Sequence, residues 1–593
     1  MATIRRGDLQ RHPAALRTNV TLFPGRGTKI ARMAFPKRQF LWPMAALCLA
    51  WAAAQLSLAW NDAPVVDEPI HLFDGSLAVD LGDPTANPEH PPLVKVLASA
   101  AARPWRSRAS AVAPGTDPRA SAPALLVRPT ETARVRIFAA RLPPIAIGLA
   151  AIVVCGVWGA SIGGAAGGLA AAAMLASSTL FGAHAHFVTT DAPVAALVFC
   201  GAFCLDAPGD RFSRRRIAAA GLVLGAALAA KYSAVFLVPV LLAASFVRKP
   251  SRARLVSHLG IVLAAAIALA AITGWASRRA TAAEVRGEIA NARTGATTNR
   301  LDAAGMSAVL AIGDRIAPAS PGLARYCLGT ALVASPAFRR GAYPAFFHGR
   351  ITTTGAPGYF PACVAFKFGS IALIAGIAGL VFAARRLPLF AVLVPLLYFA
   401  AALPAHYLLG ARYLLPIYPF LCLWAAPLGR VAPRAILAAG ALSLAGAAWA
   451  YPHWIADSSA IGRAIGPIED WFADSNLDWG QDLGRLAARA AARGEPVSIV
   501  SGSEFGDLGV LYPALRFPDL GRPLPAGLYS AVRWLAFLRA AAEPEGIAAY
   551  PPELRPVVLQ LRADYDLLDR GAPIPDLSTP SMRGSRLPPE AAP

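Results

Sequence analysis

The stretch NPEHPPLVK, at residues 87–95, carries a carboxylate, an imidazole and an ammonium in a chain that is 56% hydrophobic. Two further acids, Asp67 and Glu68, precede it in VVDEPIHLFDG. A carboxylate beside a membrane can act as general base on an acceptor hydroxyl. Clustered Lys, Arg and His can hold a phosphate and stabilise its charge as it leaves. These residue types predict transfer of a phosphate-activated group.

Other ionisable residues stand at the ends of apolar segments, where such groups are functional candidates by default. They are Asp191, Lys231, Lys367 and Arg412, with His184, His186 and His406 nearby. Each has a structural alternative: the acidic pair can cap a helix, the Glu89-His90 turn can be solvated, and the cations can snorkel. These alternatives do not explain why all the residues map to one side of the membrane. The chain has no HExxH or CxxC spacing and no DxD motif of the kind used for nucleotide-sugar binding, so a divalent metal is possible but unsupported.

The elements that must position these residues are membrane helices. The chain has 593 residues, a mean hydropathy of +0.48 and only 15% charged residues. Long apolar runs recur throughout, which predicts a polytopic helical membrane protein. The net charge of +21 lies mainly in short loops and tails, so topology and lipid headgroups explain it better than nucleic acid does. Eleven spans are predicted, at 40–60, 140–160, 163–183, 190–206, 216–230, 232–247, 256–275, 367–384, 388–404, 413–429 and 434–451.

The positive-inside rule orients these spans. With a cytoplasmic N-terminus, the four predicted inner loops are all basic: 208–216, 248–254, 384–386 and 429–434. The large segments 61–139, 276–366 and 452–593 then face outward, and every candidate residue lies on that side. The two outer loops are expected to pack together over the site.

The predicted domains follow from this topology. Residues 1–39 form a basic disordered tail, 40–451 the transmembrane catalytic domain, 452–570 a small α/β domain outside the membrane, and 571–593 a flexible tail. In the α/β domain, GQDLGRLAARAAARG predicts an amphipathic helix, whereas PVSIVSG, GLYSAVRWLAF and PVVLQLRADYDLL resemble strands. A disulfide between Cys327 and Cys363 remains open, because no spacing motif supports it.

Several segments, in order, resemble the lipid-carrier-dependent glycosyltransferases of the GT-C membrane fold, the group that contains protein O-mannosyltransferases and aminoarabinose transferases. The segments are DEPIHLFDGS, GDPTANPEHPPLVKVLAS, GGAAGGLAAAAMLASSTLFGAHAHFVTTDAPVA, LGARYLLPIYPFL and DSNLDWGQDLGRLA. Together they cover most of residues 40–490 and resemble a bacterial branch of that group.

The resemblance implies roles for individual residues. Asp67 would be the catalytic base with support from Glu68, and Asp191 matches the second acid near the donor. Glu89 and His90 would lie beside the lipid phosphate, where several relatives carry Lys in place of His90. A free imidazole titrates near about 6.5, so the missing positive charge is expected from other cations. The candidates are Lys95, Lys231, Lys367 and Arg412.

The function expected is therefore an inverting membrane glycosyltransferase that moves a sugar from a polyprenyl-phosphate donor to a hydroxyl acceptor. The Ala-, Arg- and Pro-rich composition suggests a GC-rich bacterial genome. The site would then lie on the periplasmic face of the inner membrane. The main alternative is a transporter or flippase, whose polar site would lie near the bilayer midplane. A scaffold or sensor, and a lipid-diphosphate donor, also remain open. The DSNLDWGQDL stretch is interpreted as a capping box, Ser475 to Asp478, and stays outside the catalytic set.

Overall fold

The computed structural model describes residues 38–106, 122, 126–128, 130–206, 213–236, 240, 251–293, 304–338, 344–406, 408–500, 509–518, 522 and 524–588. The basic tail predicted at 1–39 lies almost wholly outside these ranges. Most of the described residues are helical, as the apolar runs predict.

The helices that precede residue 451 alternate between long apolar segments and short segments in the loops. They are α1 (Arg38–Asn61), α2 (Glu68–Ser76), α3 (Leu93–Ala102), α4 (Thr130–Ala176), α5 (Thr179–Ala185), α6 (Asp191–Leu205), α7 (Arg214–Ala230), α8 (Arg252–Ala276), α9 (Ala282–Arg293), α10 (Ala304–Ile316), α11 (Pro321–Phe338), α12 (Tyr359–Lys367), α13 (Ser370–Ala383), α14 (Leu389–Ala402), α15 (Tyr418–Trp424) and α16 (Pro433–Ala450). A 3-10 turn, Ala411–Ile417, precedes α15.

The number of membrane-spanning helices differs from the prediction. Within the described ranges, four helices are long and apolar enough to cross a membrane: α1, α4, α8 and α16. A fifth span results if α12 and α13, which meet at 111°, are counted together. The eleven predicted spans are thus not confirmed. Several of them correspond to helices that are too short for this criterion, such as the apolar helices α6 and α14.

Helix α4 reverses direction at Gly164, whose φ of 72° lies in the left-handed region that glycine tolerates. A Cβ on Gly168 would lie 2.4 Å from the carbonyl oxygen of Gly156. These two residues would be about 18 Å apart in a straight helix. The two arms of α4 are therefore antiparallel and pack backbone to backbone. The glycines of GGAAGG allow this close approach.

The two outer loops contact each other, as expected from the sequence. The Arg278 guanidinium donates hydrogen bonds to the carbonyls of Ala78 and Val79, at 2.7 and 2.9 Å. Arg325 pairs with Asp83 of the first loop and with Glu288 of its own loop. A short antiparallel hairpin of β1 (Ala345–Phe347) and β2 (Arg350–Thr352) follows in the second loop.

The C-terminal region contains a mixed sheet with helices against it. Its helices are α17 (Ala460–Ile465), α18 (Leu483–Arg493), α19 (Leu535–Ala542), α20 (Pro544–Ala548) and α21 (Arg555–Arg570), and its strands are β3 (Val497–Val500), β4 (Leu515–Arg516), β5 (Gly527–Val532), β6 (Ala572–Pro573) and β7 (Met582–Leu587). The strand order is β4-β3-β5-β7-β6. Strand β3 runs parallel to β4 and β5, and β7 is antiparallel to β5 and β6.

Two predictions for this region are wrong. PVVLQLRADYDLL forms helix α21 instead of a strand, because its buried residues Val558, Leu561, Tyr565 and Leu568 recur every three or four positions. The stretch from Gly571, expected to fray, forms β6 and β7, and β7 pairs with β5 over six residues. Only residues 589–593 of the predicted flexible tail lie outside the described ranges.

Two smaller points differ from the motif analysis. The capping box is wrong: α18 starts at Leu483 with Asp482 at the N-cap position, well beyond Ser475. The amphipathic helix itself is present. Cys327 lies in α11 and Cys363 in α12, and both thiols are free, so the open disulfide does not form.

Candidate functional site

Asp67 lies immediately before α2, where the chain turns out of the first apolar helix. Its side chain is 27% exposed, and its carboxylate accepts a hydrogen bond of 2.9 Å from the Arg412 guanidinium. The two residues are 345 positions apart in sequence, so the tertiary fold creates this pair.

Arg412 stands in the 3-10 turn before α15 and is only 10% exposed. Its guanidinium lies 4.4 Å from the ring centroid of Trp479, which fits a cation–π contact. The turn itself is held by the neighbouring DSN residues: Asn476 accepts from the Ala411 amide at 2.8 Å, and Ser475 donates to the Leu409 carbonyl at 3.1 Å. The DSNLDWG segment therefore positions Arg412, a role that sequence reasoning missed.

Asp191 is the first residue of α6 and is nearly buried. One carboxylate oxygen pairs with the Lys231 ammonium, and the other lies 3.7 Å from Arg412. Lys231 follows the last residue of α7 and lies 4.6 Å from the Tyr413 ring centroid. We call Asp67, Asp191, Lys231 and Arg412 the ion cluster. Its four members were all predicted, and the fold brings them together.

Glu68 has a different environment from Asp67, its neighbour. It is fully buried and forms two hydrogen bonds to Arg141, at 2.9 and 2.6 Å. Its oxygens also accept from the amides of Val65 and Val188. Sequence reasoning missed Arg141. A signal existed, because an arginine early in a long apolar helix needs a buried acid as partner.

Lys95 is buried below the NPEHPP turn. Its ammonium donates to Asp74 at 2.5 Å, to the Asn87 carbonyl at 2.8 Å and to the His90 carbonyl at 2.7 Å. An ammonium has three N–H donors, so these bonds occupy it fully. Burial lowers the pKa of Lys95, against the opposing effect of Asp74. This residue shapes the turn that carries Glu89 and His90.

Lys367 also binds backbone. At the end of α12 its ammonium donates to the carbonyls of Ile455, at 2.6 Å, and Asp457, at 2.8 Å. Glu89 is exposed at the surface of the NPEHPP turn.

His90 lies against His71, with ring centroids 4.7 Å apart. Its pKa is well below the usual value, because burial disfavours the charged form and His71, Lys231 and Lys95 add positive charge nearby. The imidazole is therefore neutral at neutral pH. His71 is buried as well, and its Nδ1 lies 2.7 Å from the Val188 carbonyl oxygen. The positive charge of the site thus comes from Lys231 and Arg412.

No cluster of three or more His, Cys, Asp or Glu with metal-binding geometry occurs in the part of the chain that the structure describes. His184 and His186, the histidines before Asp191, are both buried. His186 pairs with Asp62 at 2.9 Å, and the His184 ring packs against Trp479. The Nδ1–H of His406 donates a hydrogen bond of 2.6 Å to the Thr354 carbonyl, because a carbonyl oxygen can only accept.

Comparisons with known proteins find one family model and several solved structures to which the chain is similar. Residues 129–277 match the family model of the dolichyl-phosphate-mannose-protein mannosyltransferases. Among solved structures, the chain is similar to ArnT from Cupriavidus metallidurans bound to undecaprenyl phosphate, at 13% identity and a TM-score of 0.43, over 92% of this chain and 97% of that chain. None of the curated proteins compared with the chain matches it.

A second similar structure is the apo oligosaccharyltransferase of Archaeoglobus fulgidus, at 13% identity and a TM-score of 0.40. The match covers 80% of this chain and 64% of the archaeal chain, so this chain spans less than two thirds of that protein. Both TM-scores are low, and neither likeness carries an argument about the site. The family-model match confirms the resemblance seen in the sequence: the chain is similar to the GT-C membrane glycosyltransferases.

Proposed function

We propose that this protein is an inverting membrane glycosyltransferase that moves a sugar from a polyprenyl-phosphate donor to a hydroxyl acceptor on the periplasmic face. The observation that carries the proposal is the ion cluster: two carboxylates and two cations, from four separate parts of the chain, share one place at the ends of apolar helices. The family-model match supports this reaction class.

Asp67 acts as the general base. Its carboxylate is partly exposed, so an acceptor hydroxyl can reach it. The carboxylate takes the hydroxyl proton while the acceptor oxygen attacks the anomeric carbon. The bond from that carbon to the phosphate oxygen breaks, and both electrons leave with the polyprenyl phosphate. A single displacement of this kind inverts the anomeric configuration.

Arg412 and Lys231 hold the phosphate and stabilise the charge that develops on it. Both already lie beside carboxylates, so the donor phosphate must compete with Asp67 for the Arg412 guanidinium. When the guanidinium turns to the phosphate, Asp67 loses its ion pair and becomes available to accept a proton. Asp191 stays between the two cations and fixes their positions.

The other predicted residues act on the shape of the site. Glu68 fixes the loop that presents Asp67, through Arg141. Lys95 and Lys367 bind backbone carbonyls, so we assign them to loop structure and not to the phosphate. His90 and Glu89 stand on the turn above Lys95, where neutral His90 offers a hydrogen bond to the donor instead of a charge.

The experiment that tests this function measures release of free polyprenyl phosphate from a panel of polyprenyl-phosphate sugars, with purified wild type and Asp67→Asn. Release by the wild type alone supports the transferase and names the donor. Equal release by both proteins would remove Asp67 from the reaction. If no donor is consumed while both proteins are folded and bind donor, the transporter or a lipid-diphosphate donor becomes the better account.

A further inference from the structure

A cavity lies apart from the ion cluster, at the ends of three apolar helices. Its volume is about 530 Å³, and its walls include Asn61 at the end of α1, Tyr451 after α16, and Arg134 in the first turns of α4. The Tyr451 hydroxyl donates to Ser57 of α1 at 2.6 Å, which joins two of these helix ends. Helix α18 and Tyr512 of the C-terminal region close the other side.

The position of this cavity corresponds to the boundary of a membrane. Helices α1, α4 and α16 are all long and apolar enough to span one. Large aromatic residues stand exposed where α1 and α16 end: Trp60 is 39% exposed, Trp449 90% and Tyr451 38%. Trp and Tyr are enriched at membrane–water interfaces, so these side chains mark the headgroup level. The cavity therefore opens among lipid headgroups.

The lining of the cavity is basic, with Arg134, Arg141 and Arg485 against one acid, Asp62. The charges of two arginines are matched, because Arg141 pairs with Glu68 and Arg485 with Asp62. Arg134 differs: it is exposed, contacts the Trp60 ring at 4.4 Å, and pairs with no carboxylate of the described residues. One positive charge of the cavity is thus left for a ligand.

Tyr512 provides a second donor. It lines the cavity next to the arginines, and none of the described residues bonds to its hydroxyl. Burial raises the pKa of Tyr512 to about 12, so the hydroxyl keeps its proton at neutral pH. A guanidinium and a phenol hydroxyl facing one space can bind an oxyanion such as phosphate.

We propose that this cavity binds the phosphate of a lipid headgroup in the outer leaflet, through Arg134 and Tyr512. The lipid can be an ordinary phospholipid or a phosphorylated glycolipid, since the phosphate chemistry is the same. The proposal does not depend on glycosyl transfer. The site is separate from the ion cluster: none of Asp67, Asp191, Lys231 and Arg412 lines this cavity.

The test measures the lipid retained by the purified full-length chain, by native mass spectrometry without any sugar donor. The probes are phosphatidylglycerol and a diacylglycerol with the same acyl chains. We expect selective retention of phosphatidylglycerol, and about tenfold weaker retention in Arg134→Gln, because one charge-assisted contact is lost. Tyr512→Phe should show a smaller loss in the same direction. Unchanged thermal unfolding of Arg134→Gln establishes that the variant is folded.

The matched control is Arg279→Gln. Arg279 is also exposed, on the loop after α8, but it does not line this cavity. Retention by this variant should equal that of wild type. Equal losses in the two arginine variants, or equal retention of the diacylglycerol, would overturn the proposal. Displacement of the lipid by millimolar inorganic phosphate would overturn the lipid as the source of the anion. A phosphorylated glycolipid retained better than phosphatidylglycerol supports the proposal and identifies the second source.

Discussion

Asp67 and Glu68 are adjacent in sequence but belong to two different kinds of ionic site. The ion cluster around Asp67 is partly exposed, and Arg412 is shared between two acids. The site around Glu68 is fully buried, and Arg141 is bound there by both carboxylate oxygens and three carbonyls. A partly exposed ion pair can exchange partners with a substrate, whereas a fully buried pair with every donor occupied can only hold the structure.

The same contrast separates the two lysines of the region. Lys231 pairs with one acid and lies over an aromatic ring, and it is 14% exposed. Lys95 is 2% exposed and has all three donors occupied. From the sequence, both lysines were equal candidates for holding the donor phosphate. Only the number of free donors distinguishes a ligand-binding lysine from a structural one.

The largest expected effect is on Asp67. Asp67→Asn keeps the hydrogen bonding but removes the base, so the transfer rate should fall by about 10³-fold, within the range for general base catalysis. Thermal unfolding in detergent should not change. The control is Asp80→Asn, because Asp80 lies in the same loop and pairs with Arg106 instead of the cluster. If both variants lose activity equally, the loss reflects a general disturbance of the loop, and Asp67 is not the general base.

The second effect concerns stability. Glu68→Gln leaves the Arg141 charge buried without a partner, so the free energy of unfolding should fall by about 3–5 kcal/mol. The measurement is the midpoint of thermal unfolding, together with the turnover of the folded fraction. That turnover should fall much less than in Asp67→Asn. A Glu68→Gln protein with wild-type stability and no turnover would place Glu68 in the chemistry.

A third prediction compares substitutions of Lys231 and Lys95. Lys231→Gln should raise the KM for the donor by about 10–100-fold, because a charge-assisted contact to phosphate is lost. Lys95→Gln should lower the unfolding midpoint and leave KM of the folded protein near wild type. Donor titrations and thermal unfolding of both variants check this division. The opposite pattern would reverse the two assignments.

The last prediction concerns Asp478, a buried acid that forms no ion pair within the described residues. Burial, and then the nearby Asp482, raise the pKa of Asp478 from 3.8 to about 7. The folded protein therefore holds a proton that the unfolded chain releases near pH 4. This contribution to stability is complete below about pH 4 and is lost as pH rises through about 7. Between pH 5 and 8, wild type should lose about 2–4 kcal/mol relative to Asp478→Asn. Parallel pH curves of unfolding midpoint for the two proteins would contradict this.

Some local features could be predicted from sequence because they depend on neighbouring residues. The amphipathic helix α18 follows from the spacing of its apolar residues. The sequence of α21 contains the same period, but its Val-Val-Leu start favours a strand on propensity alone. The burial of α21 against the sheet decides the outcome. Strand β7 was missed for a related reason, since MRGSRL has little apolar pattern and is fixed by its pairing with β5.

The residues of the candidate site also fall into those that the sequence identified and those that it missed. All members of the ion cluster were identified from residue type and from their position at the ends of apolar segments. Arg141 and Trp479 were not, because their partners are distant in sequence: Arg141 lies 73 residues from Glu68, and Trp479 packs on Arg412. The eleven spans are not confirmed for a different reason, since hydropathy detects an apolar run but not the length of its helix.

The sequence by itself determined that this is a helical membrane protein with ionisable residues concentrated at the ends of apolar segments, because composition and periodicity depend only on the order of residues. It also determined the family resemblance, through motifs in a fixed order. The tertiary structure alone decided which of those residues share the partly exposed ion cluster and which are buried with all their hydrogen-bond donors occupied. That distinction depends on how many partners surround each charge, and the partners come from parts of the chain that only folding brings together.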